Sequence, residues 1–438
     1  MEITDVLPHS EALIKQLSEG LNSGKCSLEE AEKRILGFLN ELGNSLEREV
    51  LGRVQEPTID NSVEVGGRTA VYAGMRNLRY RTRFGSTVVL PRRCYKFREG
   101  GGGWSPLEEK LGLDRCLGYS PLMSYLLTSF GASEAYAPGA QLLSEAVGFS
   151  VSATAVQRNT EAVGERIPDN PHQLISARKT QHECELMVVE VDGTMSPQIL
   201  EIPGIEGRDS LKQPTEWKEC NVVVIQKLTQ GEEFDRWTGA RYGKHEEFEG
   251  YVSRAALAMG QHKAKKVVFL ADGARSNWEL QATNFAGSVG ILDFYHANQH
   301  LGNFCALLKD QCRAQETHHR WARMLKGGQA LQVVHELRRR ADTVEDRDSA
   351  IKEINYFRSN LARMDYDLYT KQGYPIGSGL VEGSCKFVVG KRFKGSGMRW
   401  KRHDNIQVLR VRAEKLNGTL QRYFKPQPQN WCFVTRAA

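Results

Sequence analysis

The chain has 438 residues, 40% of them hydrophobic and 26% charged, enough apolar material for a sizeable core and too much for a disordered polymer. Its net charge of +6 is mildly basic, compatible with a polyanionic partner without requiring one. The N-terminus has no basic segment leading into an apolar run, no stretch reaches ~18 apolar residues, and the nine cysteines form no CxxC pair. These features argue against a secreted disulfide framework, a zinc ribbon and a membrane span, and predict a soluble cytoplasmic protein of two or three domains.

Leu13, Ile14, Leu17 and Leu21, then Leu28, Ala31, Ile35, Leu39 and Leu42, recur at helical spacing, so residues 1–60 read as a helical arm or an oligomerisation element. Ser27 followed by Glu30 predicts a capping box for its second helix. Residues 61–115 change character. Arg76, Arg79, Arg81, Arg83, Arg92, Arg93, Lys96 and Arg98 have no acid among them. Thr87–Leu90 and Cys94–Phe97 read as two short strands around Pro91. This basic β-hairpin either meets phosphates or is an edge kept soluble by charge. Residues 116–170 read as short helices: Ser120-Pro121 opens one, 139–147 is a second, and a third starts at Ser152 after the turn at Gly148–Val151. A helix, a short glycine turn and a helix bearing Gln157 and Arg158 is helix-turn-helix chemistry, which makes those two side chains candidate DNA contacts. Any three-helix core contains such turns, so a purely structural reading stands beside it.

Residues 185–300 alternate strands and helices, which predicts an α/β layer with a partly parallel sheet. Leu186–Val191 reads as a strand ending at Asp192-Gly193, and Lys266–Leu270 as a strand ending at Asp272-Gly273. Gly290–Leu292 runs into Asp293, and Glu247–Met259 is an amphipathic helix. Ligands bind beyond the carboxyl ends of such strands. Two aspartates there repel unless a divalent cation joins them, and Mg2+ is the hard ion that oxygen ligands and phosphate suit. Two ordinary turns are the plainer alternative. A third carboxylate, Glu382, follows Gly377-Ser378-Gly379, with Ser378 as the expected N-cap of a helix over Leu380–Lys391. Asp192, Asp272 and Glu382 are thus the candidate metal ligands, for two Mg2+ ions with Mn2+ able to substitute. His296 and His300 also have the spacing of a helical metal pair. Residues 386–425 hold twelve Lys or Arg against Asp404 and Glu414. Lys386, Lys391, Arg392, Lys394, Arg399 and Trp400 are candidate DNA contacts there, with a solvated helix face as the alternative.

These residues carry a resemblance. Pro375-Ile376-Gly377-Ser378-Gly379-Leu380-Val381-Glu382, the following Lys391-Arg392-Phe393-Lys394 and Ser396-Gly397-Met398-Arg399-Trp400, and Val191-Asp192-Gly193-Thr194-Met195 resemble motifs of the IS-Kra group of insertion-sequence DDE transposases, related to Mutator-like elements. Leu292-Asp293-Phe294-Tyr295-His296 resembles the (C/D)xxH motif of that superfamily, which adds Asp293 and His296 to the catalytic candidates. The resemblance implies an RNase H-like catalytic domain over 180–425. The spacings are 272 − 192 = 80 and 382 − 272 = 110, and the second implies a helical insertion at about 297–370. It also implies double-stranded DNA as partner, both terminal inverted repeats and target, and a homo-oligomeric synaptic complex. A cysteine pair that the family often carries before Pro106-Leu107-Glu108 is missing, so no zinc site is expected there. An RNase H-like nuclease or resolvase, or a catalytically silent DNA-binding derivative, remain the competing readings.

Overall fold

The structure, a computed structural model, describes residues 6–176, 183–202, 204–205, 212–344, 346–426 and 431–433. The chain divides into two compact units, one of residues 1–166 with 418–438 and one of residues 167–417. The segments 1–60, 61–115 and most of 116–170 fall in the first unit, and so does the end of the segment assigned to catalysis. No helix among the described residues is long and apolar enough to cross a membrane.

The first unit opens with helices α1 (Val6–Asn22) and α2 (Leu28–Gly52). The Ser27 side chain accepts from Glu30 N while the Glu30 carboxylate accepts from Ser27 N, so the capping box forms. An antiparallel sheet follows: β1 (Ser62–Val65), β2 (Arg68–Arg81), β3 (Thr87–Phe97) and β4 (Gly103–Trp104), with β10 (Trp431–Phe433) returning from the far end of the chain to pair with β1. The two short strands expected around Pro91 are one strand. Pro91 sits opposite Asn77 in the β2–β3 ladder, exposed, where a missing N–H is tolerated. Much of the basic character is consumed internally. Arg92 pairs with Glu108 at 3.0 Å, Arg81 donates to the Gly85 and Ser150 carbonyls, and the Arg93 guanidinium lies over Tyr72. After α3 (Pro106–Leu111), helices α4 (Pro121–Ser133), α5 (Tyr136–Val147) and α6 (Ala153–Arg166) pack around Met123, Leu127, Leu143, Val147 and Val156. Gly148 ends α5 at φ 78°, a left-handed turn that glycine adopts without strain. Ser152 Oγ then accepts from Ala155 N and starts α6.

The second unit begins with α7 (Pro171–Ser176) and holds a five-stranded mixed sheet. Its strands are β5 (Cys184–Ile199), β6 (Thr215–Thr229), β7 (Glu232–Tyr242), β8 (Ala264–Ala271) and β9 (Val289–Leu292), in the order β7-β6-β5-β8-β9. The β5, β6 and β7 strands run antiparallel, while β8 and β9 add on in parallel. Helices α8 (His245–Ala258) and α9 (Arg275–Asn284) supply Tyr251 against Trp237 and Trp278 and Phe285 against Phe269. Val268 and Leu270, the alternate positions of the same strand, join Leu186, Val188 and Ile291 in a core with a run of helices. Those helices are α10 (Phe294–Ala306), α11 (Gln311–Lys326), α12 (Ala330–Ala341), α13 (Arg347–Asn360) and α14 (Tyr366–Lys371). They occupy the stretch between the last strand and Glu382.

Asp192 does not end its strand. The expected turn at Gly193 is absent because β6 continues to pair with β5 as far as Ile199, opposite Thr215. Only the parallel neighbour stops early, its last pairing being Glu190 with Leu270. The expected helix over Leu380–Lys391 also differs. It is α15 (Gly379–Ser384), a π-helical turn at Cys385–Gly390, and the short α16 (Lys391–Phe393), followed by α17 (Arg402–Leu416).

Candidate active site

The parallel register sets the geometry. Glu190 lies opposite Leu270, so Asp192, two residues on, lies level with Asp272 just past the end of β8. Asp293 follows β9, whose Leu292 pairs with Ala271, and Asp293 N donates to the Ala271 carbonyl at 2.8 Å. Three neighbouring strands therefore deliver one aspartate each to the same end of the sheet.

Each carboxylate is held differently. Asp192 accepts from Gly193 N at 2.8 Å, and its carboxyl is raised above the usual range by burial first and by the nearby Asp272. Asp272 Oδ1 accepts from Ala274 N at 3.0 Å and from Asn277 Nδ2 at 2.9 Å. The Tyr356 hydroxyl donates to the Asp272 carbonyl at 2.9 Å. Gly273 turns the chain away at φ 95°, where a Cβ would come within 2.8 Å of Leu292 and 2.9 Å of Tyr356. Asp293 is buried and caps α10 by accepting from Tyr295 N. Its other oxygen sits 2.6 Å from His296 Nδ1 and 2.5 Å from Ser378 Oγ. The hydrogen bond to Asp293 is the main reason the His296 imidazole is raised, and Asp272 and Asp192 add to it.

The glycine-rich segment is docked onto this cluster at three points. Phe294 N donates to the Ile376 carbonyl at 2.9 Å, which fixes the loop before the helix. Ser378, expected as an N-cap, makes no side-chain cap; its hydroxyl goes to Asp293 instead. Val381 N donates to Glu190 Oε2 at 3.0 Å, and Gln226 Nε2 holds the other oxygen of Glu190 at 3.0 Å. Glu190 is buried, and burial pushes its carboxyl up to about 7 against the pull of those two donors. The Cys385 thiol lies beside Asp192 and is pushed up by burial first and by that carboxylate's charge. Ser378, Glu382 and Cys385 are four and three residues apart, which puts Glu382 on the helix face that meets Asp293 and Asp192. The Glu382 carboxylate, however, is half-exposed and paired with Lys386 at 2.7 Å. Among the described residues no three His, Cys, Asp or Glu side chains converge closely enough to hold a metal ion. The Asp192–Asp272 pair is the part of the expected ligand set whose charges fit a shared cation, because each is an oxygen donor and Asp272 raises the Asp192 carboxyl while His296 pulls it the other way.

His296 and His300 are each oriented by a carboxylate of their own: His296 Nδ1 is taken by Asp293, and His300 Nδ1 by Glu353 at 2.6 Å. Two of the expected DNA contacts are also corrected. Arg392 is 2% exposed and Trp400 6% exposed, and they stack on each other at 4.6 Å inside the unit, so neither reaches a nucleic acid from this position. Lys386, Lys391, Lys394 and Arg399 are exposed. Lys394 Nζ reaches Thr194 Oγ1, two residues past Asp192, at 2.7 Å, and Arg399 reaches Thr215 Oγ1 at 3.2 Å. In the first unit Arg158 is exposed on α6, while Gln157 donates to Glu161 at 2.9 Å. Sequence reasoning missed Glu190, Ser378 as a side-chain partner, Cys385, Asn277 and Tyr356. Only Glu190 left a trace, a lone carboxylate inside an apolar strand.

No family model matches the chain, and no curated protein matches it. Among solved structures, the chain is similar to the Drosophila P element transposase strand transfer complex at a TM-score of 0.28 and 12% identity, over 70% of this chain and 82% of that one. A similarity of that size establishes neither family nor activity.

Proposed function

We propose that this chain is a DNA transposase, a polynucleotidyl transferase of the IS-Kra and Mutator-like type with an RNase H-like catalytic unit. The observation that carries the reading is the level pair of Asp192 and Asp272 on adjacent parallel strands, with the Glu382 helix tied to the same end of the sheet through Ser378, Val381 and Cys385. The strand order, three antiparallel strands extended by two parallel ones, supports an RNase H-like arrangement. The motifs around Asp192, Asp293 and Glu382 supply the family.

In this reading Asp192 and Asp272 would hold Mg2+, and Glu382 would join them if Lys386 turned from its carboxylate to a DNA phosphate. Bound there, the ions would activate a water or 3′-hydroxyl and offset charge on the leaving oxygen. The chain's own groups do the rest. Asn277 and the Ala274 amide fix the Asp272 carboxylate. Asp293 holds the His296 imidazole through Nδ1, which leaves Nε2 as the nitrogen to donate toward a phosphate oxygen. Lys386, Lys391, Lys394 and Arg399 neutralise backbone phosphates, and Arg158 on the second helix of the helix-turn-helix contacts the terminal repeats. Joining two element ends requires two copies of the active site, so the working form is a homo-oligomer.

The test is strand transfer of a duplex carrying an element end, in Mg2+. Asp192→Asn and Glu382→Gln should each lower the rate by at least ~1,000-fold, about 4 kcal/mol of transition-state stabilisation. If both variants join DNA at the wild-type rate, the assignment is wrong. Cleavage that depends on the carboxylates but never yields a joined product identifies a nuclease instead. Mg2+-independent binding without cleavage identifies a silent DNA-binding derivative.

A further inference from the structure

Helices α1 and α2 carry an apolar face that none of the described residues covers. On α1, Leu7, Ile14 and Leu21 are 41–74% exposed. On α2, Leu28, Ile35, Leu39, Leu46 and Val50 are 43–65% exposed. At 100° per residue the α2 positions fall within ~60° of one another, one continuous stripe along the helix, and the α1 positions form a second. The helices form an antiparallel hairpin, tied by Arg34 to Gln16 at 2.6 Å, with Leu17 and Ala31 as its buried positions. Counted from Leu17 and from Ala31, both stripes are displaced in the same rotational sense by roughly 60°. In an antiparallel pair that opens them onto the same side. The hairpin is held firmly from another face of α2: Asn40 donates to the Val147 carbonyl and Asn44 to the Phe84 carbonyl, both at 2.9 Å, and Gly43 admits the Phe84 ring.

We infer that this face is the contact between two copies of the chain. Charge excludes nucleic acid and anionic lipid as its occupant, because α1 and α2 carry eight carboxylates against four lysines and arginines. Size points to a second copy. The eight aliphatic side chains expose roughly 800 Å² of surface, above the ~300–600 Å² of the largest patch on a typical monomer and equal to one side of a standard interface. The hairpin of another copy offers a face of the same size and chemistry, and a two-fold axis makes the one patch complementary to itself. Leu39 is the midpoint of the α2 stripe, so the axis brings the two Leu39 side chains together. Self-association through this face does not depend on the strand-transfer reading.

The experiment is sedimentation equilibrium of the full chain without DNA, from about 1 to 100 µM, a range that brackets a micromolar dissociation constant. The wild type should sediment as a dimer. The double variant Ile35→Glu/Leu39→Glu should weaken dimerisation by about 100-fold or more, as loss of two central anchors does. Its helical circular dichroism should not change, since both positions are exposed, and its melting temperature should match that of the wild type diluted to the monomer. Leu39→Cys should form an intermolecular disulfide on oxidation that is absent from the wild type under the same conditions. A wild-type chain that stays monomeric throughout overturns the inference. So does a dimer that the double variant leaves intact and Leu39→Cys fails to cross-link.

Discussion

Asp293 and His296 stabilise each other's charged forms, and the consequences can be signed. On Asp293, burial raises the carboxyl, but the hydrogen bonds from His296, Ser378 and Tyr295 N outweigh it and hold it below the usual 3.8. On His296, the bond to Asp293 leads and lifts the imidazole above its usual 6.5. A raised folded value means the histidine's contribution is complete below 6.5 and is lost as pH rises through the folded pKa. A depressed one means the aspartate's is complete above 3.8 and is lost as pH falls through the folded pKa. The pair is therefore whole between those two values. Asp293→Asn should bring the His296 titration, followed by NMR, down to 6.5 or below. It should cost about 2 kcal/mol at pH 6, less than the ~3–5 for a fully buried pair because the imidazole is partly exposed. An unmoved His296 titration would mean Asp293 does not carry the interaction. The pairing was legible in the sequence through the resemblance to the (C/D)xxH motif. The third member was not: Ser378 meets Asp293 across 85 residues, and locally it reads only as a cap.

At the scale of elements, the sequence failed where tertiary pairing overrode a local signal. Asp192-Gly193 reads as a turn, yet β6 holds it in a strand, because a ladder already formed on one edge outweighs a two-residue turn preference. The Glu382 segment reads as one helix, yet it widens into a π turn at Cys385–Gly390. Arg392 and Trp400 read as part of a basic DNA-facing run because composition alone does not say which members of the run stack inside. The π turn has an identifiable support. Arg412 on α17, 3% exposed, donates from Nε to the Val388 carbonyl at 2.6 Å and also to the Phe387 carbonyl. Charge-assisted bonds to buried carbonyls are worth ~1.5–3 kcal/mol each, and losing them leaves the acceptors unsatisfied. Arg412→Met should therefore lower the unfolding free energy of the second unit by about 3 kcal/mol in denaturant titration. It should also abolish strand transfer, although Arg412 lies thirty residues from Glu382 in sequence, 412 − 382 = 30. A variant with normal stability and activity would show that the π turn stands without it.

Across the whole molecule, the alternation of strands and helices announced an α/β unit, and the helical stretch before Glu382 was foreseeable from its lack of strand patterning. The path of the chain was not. Residues 167–417 are inserted into the other unit, because residues 418–438 return to it. Three short features make the return. Leu420, Tyr423 and Phe424 are buried, Phe424 meets Tyr125 of α4 edge-on at 5.7 Å, and β10 pairs with β1 at Val65 and Trp431. No periodicity in a stretch this short distinguishes a tail that docks from one that trails, so it read as the end of the catalytic segment. The insertion predicts separable stabilities. Deleting residues 418–438 removes three buried side chains worth about 1.5–3 kcal/mol each, an upper figure of roughly 9 kcal/mol, comparable with the whole stability of a small domain. The second unit keeps its sheet, its helices and its cluster of carboxylates. Calorimetry of the full chain should resolve two transitions, and the truncated chain should lose the one belonging to the first unit while the other stays within a few degrees. Loss of both together would mean that the two units fold as one cooperative body.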